Sequence, residues 1–134
     1  MKNKKTLEEI KEIFAGDRFA AECGAVIDSV GDHSAVCSLT ITDSHRNAMG
    51  AVMGGVYFTL ADFAFAVAAN SERFGCVSLR SDISFLSPAR GDRLVAEATC
   101  IRDGKTTACY RVDVRDGEGN LTATVTVTGY HVGD

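Results

Sequence analysis

Asp62 is the only charged side chain between Ala51 and Ser71. Residues 56–69 around it are otherwise aliphatic or aromatic, with Thr59 as the one further polar side chain. A helix that is apolar on every face is normally buried on every face. One turn away from Asp62 lie Phe58, Thr59, Phe65 and Ala66, so no Lys or Arg on the same helix neutralises it. Burying an ionised carboxylate there is costly unless something nearby uses the charge. Just upstream, Gly54-Gly55 supplies a flexible entry and free backbone N–H groups at the helix start. A carboxylate two turns from bare amide donors suits chemistry on a carbonyl carbon. It equally suits a buried Asp hydrogen-bonded to a strand or to a second subunit, and the helix alone does not choose.

The 134-residue length allows one core and leaves too little chain for two, so residues 1–134 read as a single domain. An apolar fraction of 46% and a charged fraction of 24% are those of a globular protein in water. The net charge of −4, without any long run of Lys and Arg, argues against nucleic acid as a partner. Residues 51–69 have the length of a membrane span, but the central Asp62 and the paired glycines oppose that reading, and no membrane is expected. The amino-terminal Met1-Lys2-Asn3-Lys4-Lys5 is basic, yet residues 6–14 are amphipathic rather than a signal core. Five cysteines, with no Cys-x-x-Cys pair, read as small buried thiols in a reducing cytoplasm. His33, His45 and His131 are scattered at no metal-ligand spacing, so no metal is expected, and His45 reads as an exposed loop residue.

Thr6-Leu7-Glu8-Glu9 has the form of a capping box, and Leu7, Ile10, Ile13 and Phe14 repeat on one face, which predicts a first helix. Residues 23–30 and 35–41 read as strands on either side of a Gly31-Asp32 turn. A polar loop over 43–53 leads into the long helix, expected over 55–71. Strands are then predicted over 77–86, 94–102, 106–115 and 121–130, following each other as a meander. Asp103-Gly104 is a strong hairpin signal within it. In the last strand Thr122, Thr124, Thr126 and Thr128 alternate with Ala123, Val125 and Val127, as in an antiparallel strand with one face on the core. Such a sheet buries an all-apolar helix only by curling around it, with another subunit covering the remainder.

The stretch His45-Arg46-Asn47-Ala48-Met49-Gly50-Ala51-Val52-Met53-Gly54-Gly55, followed by Leu60-Ala61-Asp62, resembles the hotdog-fold thioesterases of the phenylacetyl-CoA (PaaI-like) branch. Their pattern runs Asn, Gly, His-Gly-Gly, then an Asp on the central helix. Further on, residues 82–92, ending Pro88-Ala89-Arg90-Gly91-Asp92, are similar to that family's strand and Pro-Ala-x-x-Gly turn. The order is kept from the first helix to the last strand.

The resemblance implies an α+β hotdog fold, a curled antiparallel sheet wrapped around one long central helix. It implies hydrolysis of an acyl-CoA thioester, with an aryl acyl group as one candidate, and no cofactor. Asp62 matches the catalytic carboxylate, as general base or nucleophile. Gly54 matches the residue whose N–H polarises the thioester carbonyl, with Gly55 and Met53 beside it against substrate. Asn47 matches the loop Asn that holds substrate or water, and Ser78 falls where some relatives place a water-orienting hydroxyl. Arg90 is a candidate for the phosphates of coenzyme A, beside a plain reading as solvated charge. The family also pairs subunits edge to edge, and many of its dimers pair again as tetramers.

One departure stands out. The family's His before the glycines is Met53 here, and a thioether cannot donate a strong hydrogen bond. That leaves a non-catalytic acyl-CoA binder as the alternative. A hotdog hydratase ranks last, because no histidine adjoins the helix.

Overall fold

The structure, a computed structural model, describes residues 5–133, so the basic residues 1–4 of the amino-terminal stretch lie outside the described residues. Helix α1 spans Leu7–Phe14 and has the expected box: Glu9 N–H donates to Thr6 Oγ1 at 3.1 Å, and Thr6 N–H donates to Glu9 Oε1 at 2.8 Å. A second helix, α2, follows at Arg18–Glu22. It displaces the start of the first strand, expected at Cys23, because Cys23 caps α2 and Gly24 turns the chain at φ +90°. Five residues are too few to show a helical period.

The first hairpin joins β1, Val26–Gly31, to β2, Ser34–Thr40. The long helix α3 spans Gly54–Asn70. Four strands complete the chain: β3 Cys76–Phe85, β4 Arg93–Asp103, β5 Thr107–Asp116 and β6 Leu121–His131. All pairings are antiparallel, in one six-stranded sheet of order β1-β2-β4-β5-β6-β3.

The expected four-strand meander therefore holds only for β4, β5 and β6. Turns at Asp103-Gly104 and Asp116–Asn120 are short enough to force those neighbours together. Strand β4 has β2 on one side and β5 on the other, so both its edges are filled before β3 can reach it. The edges left are β1 and β6, and β3 takes β6, pairing from Cys76–His131 to Phe85–Ala123.

Helix α3 lies across β2, β4 and β5, and the core forms between them. Leu60 and Val67 of the helix belong to the same core as Leu94, Val112 and Val125 of the sheet, all fully buried. Ala123, Val125 and Val127 of β6 point inward, as their alternation predicts. The helix is not covered on every side. Gly55, Phe58, Thr59, Asp62 and Ala66 form a stripe at one-turn spacing that remains partly open. Strand β3 is a bare edge with Val77, Leu79 and Phe85 exposed. No helix among the described residues is long and apolar enough to cross a membrane.

Candidate active site

The loop before α3 is held by its own backbone and by a histidine. Thr42 N–H donates to His45 Nδ1 at 2.9 Å, so Nε2 carries the proton and donates to the Cys23 carbonyl at 2.7 Å. His45 is thus buried and structural, which corrects its reading as an exposed loop residue. Its partner carbonyl sits at the end of α2, a contact twenty-two positions away that spacing along the chain does not reveal.

From that anchor the loop returns on itself. An isolated bridge joins Arg46 to Val52, and Met53 N–H donates to the His45 carbonyl at 2.9 Å. At the tip, Asn47 Oδ1 accepts from Met49 N–H at 3.0 Å and Ala51 N–H at 3.1 Å. The Asn47 carbonyl group is therefore spent on the turn. Its exposed Nδ2 amide makes no hydrogen bond to the described residues and remains available as a donor.

Helix α3 begins at Gly54, one residue before the expected start, with Met53 as an N-cap that contributes no side-chain bond. The first amides of a helix have no acceptor within it, and among the described residues none of the bonds formed satisfies Gly54 N–H or Gly55 N–H. The start of the helix is open to a pocket of about 370 Å³ lined by Val52, Gly54, Tyr57, Phe85, Leu86, Ser87 and Pro88. Phe85 lies so close that a Cβ on Gly54 would meet its ring at 3.1 Å. Glycine lets the ring lie against the helix start without displacement. Met53 folds over Gly55, its Cε 2.7 Å from where a Gly55 Cβ would stand.

Asp62 opens onto a different pocket, about 410 Å³, with Asp17, Arg18, Phe19, Ala20, Phe58, Thr59 and Phe63. It is half-buried on the open stripe of α3. Burial pushes its carboxyl above the usual carboxylate range, and the negative charge of Asp17 adds to the shift. A carboxylate so placed is a better base than a hydrated one. Arg18 and Phe19 belong to α2, a helix too short to show a period in the sequence. An apolar cavity of about 310 Å³, lined by Phe14, Ala21, Ala25 and Val26 among others, adjoins across Phe63.

The remaining candidates lie apart. Ser78 is exposed beside a bulge on β3 and lines neither pocket of its own chain. Arg90 follows the Pro88 turn at the Gly54 pocket, with its backbone N–H bound to Asp116 Oδ2 at 2.8 Å and its side chain exposed. The Asp116 carboxylate also accepts from Glu118 N–H, Asn120 N–H and Asn120 Nδ2. Burial opposes its charge, and these four bonds overcome burial to hold the carboxyl down at about 2.

Comparison with known proteins identifies the family. Residues 49–123, from the Asn47 loop into β6, match the thioesterase superfamily. The acyl-coenzyme A thioesterase PaaI of Escherichia coli is 33% identical over 111 residues, 82% of this chain and 79% of its own. A Deinococcus radiodurans relative is 44% identical over 94 residues, which are 69% of this chain and 63% of that protein. The solved structure of the E. coli PaaI protein superposes with a TM-score of 0.84 at 29% identity, covering 96% of this chain and 97% of that one. A Streptococcus pneumoniae thioesterase solved with coenzyme A superposes at 0.83 and 26% identity, over 90% and 98% of the two chains. By its sequence match and its fold together, the chain belongs to the thioesterase superfamily, as a PaaI-like thioester hydrolase with the hotdog architecture.

Proposed function

We propose that this protein hydrolyses acyl-CoA thioesters whose acyl group is aromatic, in the cytoplasm, at a site shared between two subunits. One observation carries the reading. The raised carboxylate of Asp62 and the open amide of Gly54 are the two groups that hydrolysis needs, and they face separate pockets of one chain. A thioester carbonyl builds negative charge on oxygen as water attacks, and an N–H at the positive end of a helix is a fixed donor for it. Asp62 takes the proton from that water or attacks the carbonyl itself. An antiparallel pairing of two bare β3 edges is the symmetric way to bring one chain's Gly54 to the other's Asp62. A further pairing of dimers covers the open stripe.

Asn47 Nδ2 is assigned to hold substrate or water beside the Gly54 amide. Ser78 takes part only if edge pairing carries it to the partner's pocket. Met53 and Gly55 border the thioester, and Arg90 meets the coenzyme A phosphates outside. Aromatic rings of Phe19, Phe58 and Phe63 around Asp62, with the apolar cavity behind Phe63, favour an aryl over a short-chain acyl group.

The test is thiol release from purified protein over aryl, short-chain and long-chain acyl-CoAs. The proposal expects kcat/KM to be highest for the aryl thioesters. A protein that binds acyl-CoA but releases no thiol from any of them is the non-catalytic binder that Met53 leaves open.

A further inference from the structure

Beyond the carboxyl end of α3, side chains distant in sequence converge on His33. This residue sits in the β1–β2 turn with φ +51°, a conformation uncommon for a side chain of its size. Its Nε2 lies 3.9 Å from Asp32 Oδ1, 3.9 Å from Glu72 Oε2 and 4.0 Å from Asp103 Oδ2. Those separations are too long for hydrogen bonds. They are close to the spacing of donors around a cation. Metal–ligand bonds of about 2.0–2.2 Å place neighbouring donors about 3 Å apart and opposing donors about 4.2 Å apart. The donor atoms of Asp32, His33 and Glu72 all lie within 4.8 Å of one another, so small side-chain rotations close the set.

Two further observations single this cluster out from ordinary surface acids. Glu72 Oε2 is inaccessible to solvent and has no hydrogen-bond partner, a costly state for a carboxylate oxygen unless a cation faces it. The other ring nitrogen of His33 is occupied, with Nδ1 3.3 Å from the hydroxyl of buried Tyr110. That contact leaves Nε2 as the ring nitrogen on the side of the carboxylates. Nε2 thus faces the carboxylates of Asp32, Glu72 and Asp103 together. A histidine whose second nitrogen is tied in this way is the usual form of a metal ligand.

We propose that Asp32, His33 and Glu72, with Asp103 alongside, bind one divalent first-row cation of the Mn²⁺ or Zn²⁺ type. The donors are one imidazole and three carboxylates, a mixed set that suits such ions better than Ca²⁺ or Cu⁺. They come from the β1–β2 turn, the segment after α3 and the end of β4, so the ion ties three elements together at the end of the helix remote from Gly54. His131 steadies the fourth donor, its Nε2 lying 2.9 Å from Asp103 Oδ1. The negative end of the α3 dipole adds to the attraction. A pocket of about 170 Å³ beside Asp32, Ser71 and Glu72 is the route in, and Lys5 at its rim is the competing cation.

The test is Mn²⁺ titration of chelator-treated protein, following loss of the free-ion electron paramagnetic resonance signal. Mn²⁺ is chosen because it avoids the five free thiols. The proposal expects one Mn²⁺ per chain, a thermal midpoint that rises with Mn²⁺ concentration, and affinity weakened at least ~10-fold in both Glu72→Gln and His33→Asn. Asn tolerates the backbone of position 33, and unchanged thioester hydrolysis in both variants verifies that each is folded. Absence of stoichiometric uptake, or uptake that survives both substitutions, overturns the site.

Discussion

Gly54 and Asp62 lie eight residues apart on α3, about 12 Å along its axis, and open onto different pockets. No single carbonyl reaches both groups of one chain. A shared site resolves this with a testable consequence. Chains carrying Asn47→Ala and chains carrying Asp62→Ala are each expected to be nearly inactive alone. In a mixed dimer one site carries both lesions and the other neither. Random exchange makes about half the dimers mixed, so roughly a quarter of all sites are intact. Activity is expected to recover toward that fraction after subunit exchange. Exchange verified by native mass spectrometry with no recovery places both residues in one chain's site.

Met53, which the resemblance aligns with the family's histidine, packs over Gly55. Introducing the imidazole adds a donor where the thioether has none. Met53→His is expected to keep or raise kcat for acyl-CoA hydrolysis. A folded variant with strongly reduced kcat shows instead that this pocket is shaped around the thioether.

Asp116 ties the Arg90 turn to the β5–β6 turn through four hydrogen bonds. Removing the carboxylate strands several of these donors, and Asp116→Ala is expected to cost about 1–3 kcal/mol in urea unfolding at neutral pH. The sign with pH follows from its carboxyl being held down at about 2, below its unfolded value of ~3.9. Its charge stabilises the fold in full above pH ~4, and that contribution is lost as pH falls toward 2. The gap between wild type and variant is therefore expected to close over that interval. A gap independent of pH assigns the loss to packing.

Periodicity and motif spacing made the long helix, the Asn47 loop, Gly54 and Asp62 legible in the sequence. An isolated charge in an apolar run and a glycine pair are local signals. The strand alternation of β6 was equally legible. What stayed hidden was set by contacts between distant residues. The place of β3 depends on β4 having both edges filled, which no window of sequence contains. His45 is buried by the end of a helix too short to show a period. The His33 cluster draws on residues from 32 to 131, so the lack of metal-ligand spacing among the histidines gave no sign of it. Ser78 rested on resemblance alone, and its own chain brings it to neither pocket.

His45 makes the loop geometry itself testable. Its ring joins the Thr42 backbone to the Cys23 carbonyl, and both groups lose their partner in His45→Ala. A loss of about 2 kcal/mol or more is expected in chemical denaturation, with a larger loss of activity than of fold, because Asn47 and Gly54 hang from this anchor. A variant of ordinary stability with full kcat refutes the anchoring role.

The central claim is that the raised carboxylate of Asp62 performs the hydrolysis, and Asp62→Asn addresses it most directly. Amide for acid keeps the shape and removes the base. Burial raises the folded pKa above the unfolded one, so stability is lost as pH rises from the unfolded to the folded value, and the full penalty persists above it. The Asn variant is therefore expected to be at least as heat-stable as wild type at neutral pH. Its kcat for the preferred acyl-CoA is expected to fall at least ~10²-fold, while the acidic limb of the wild-type rate lies above the usual carboxylate range. A folded Asp62→Asn protein that turns over at the wild-type rate contradicts the account and leaves Asp62 a buried structural residue.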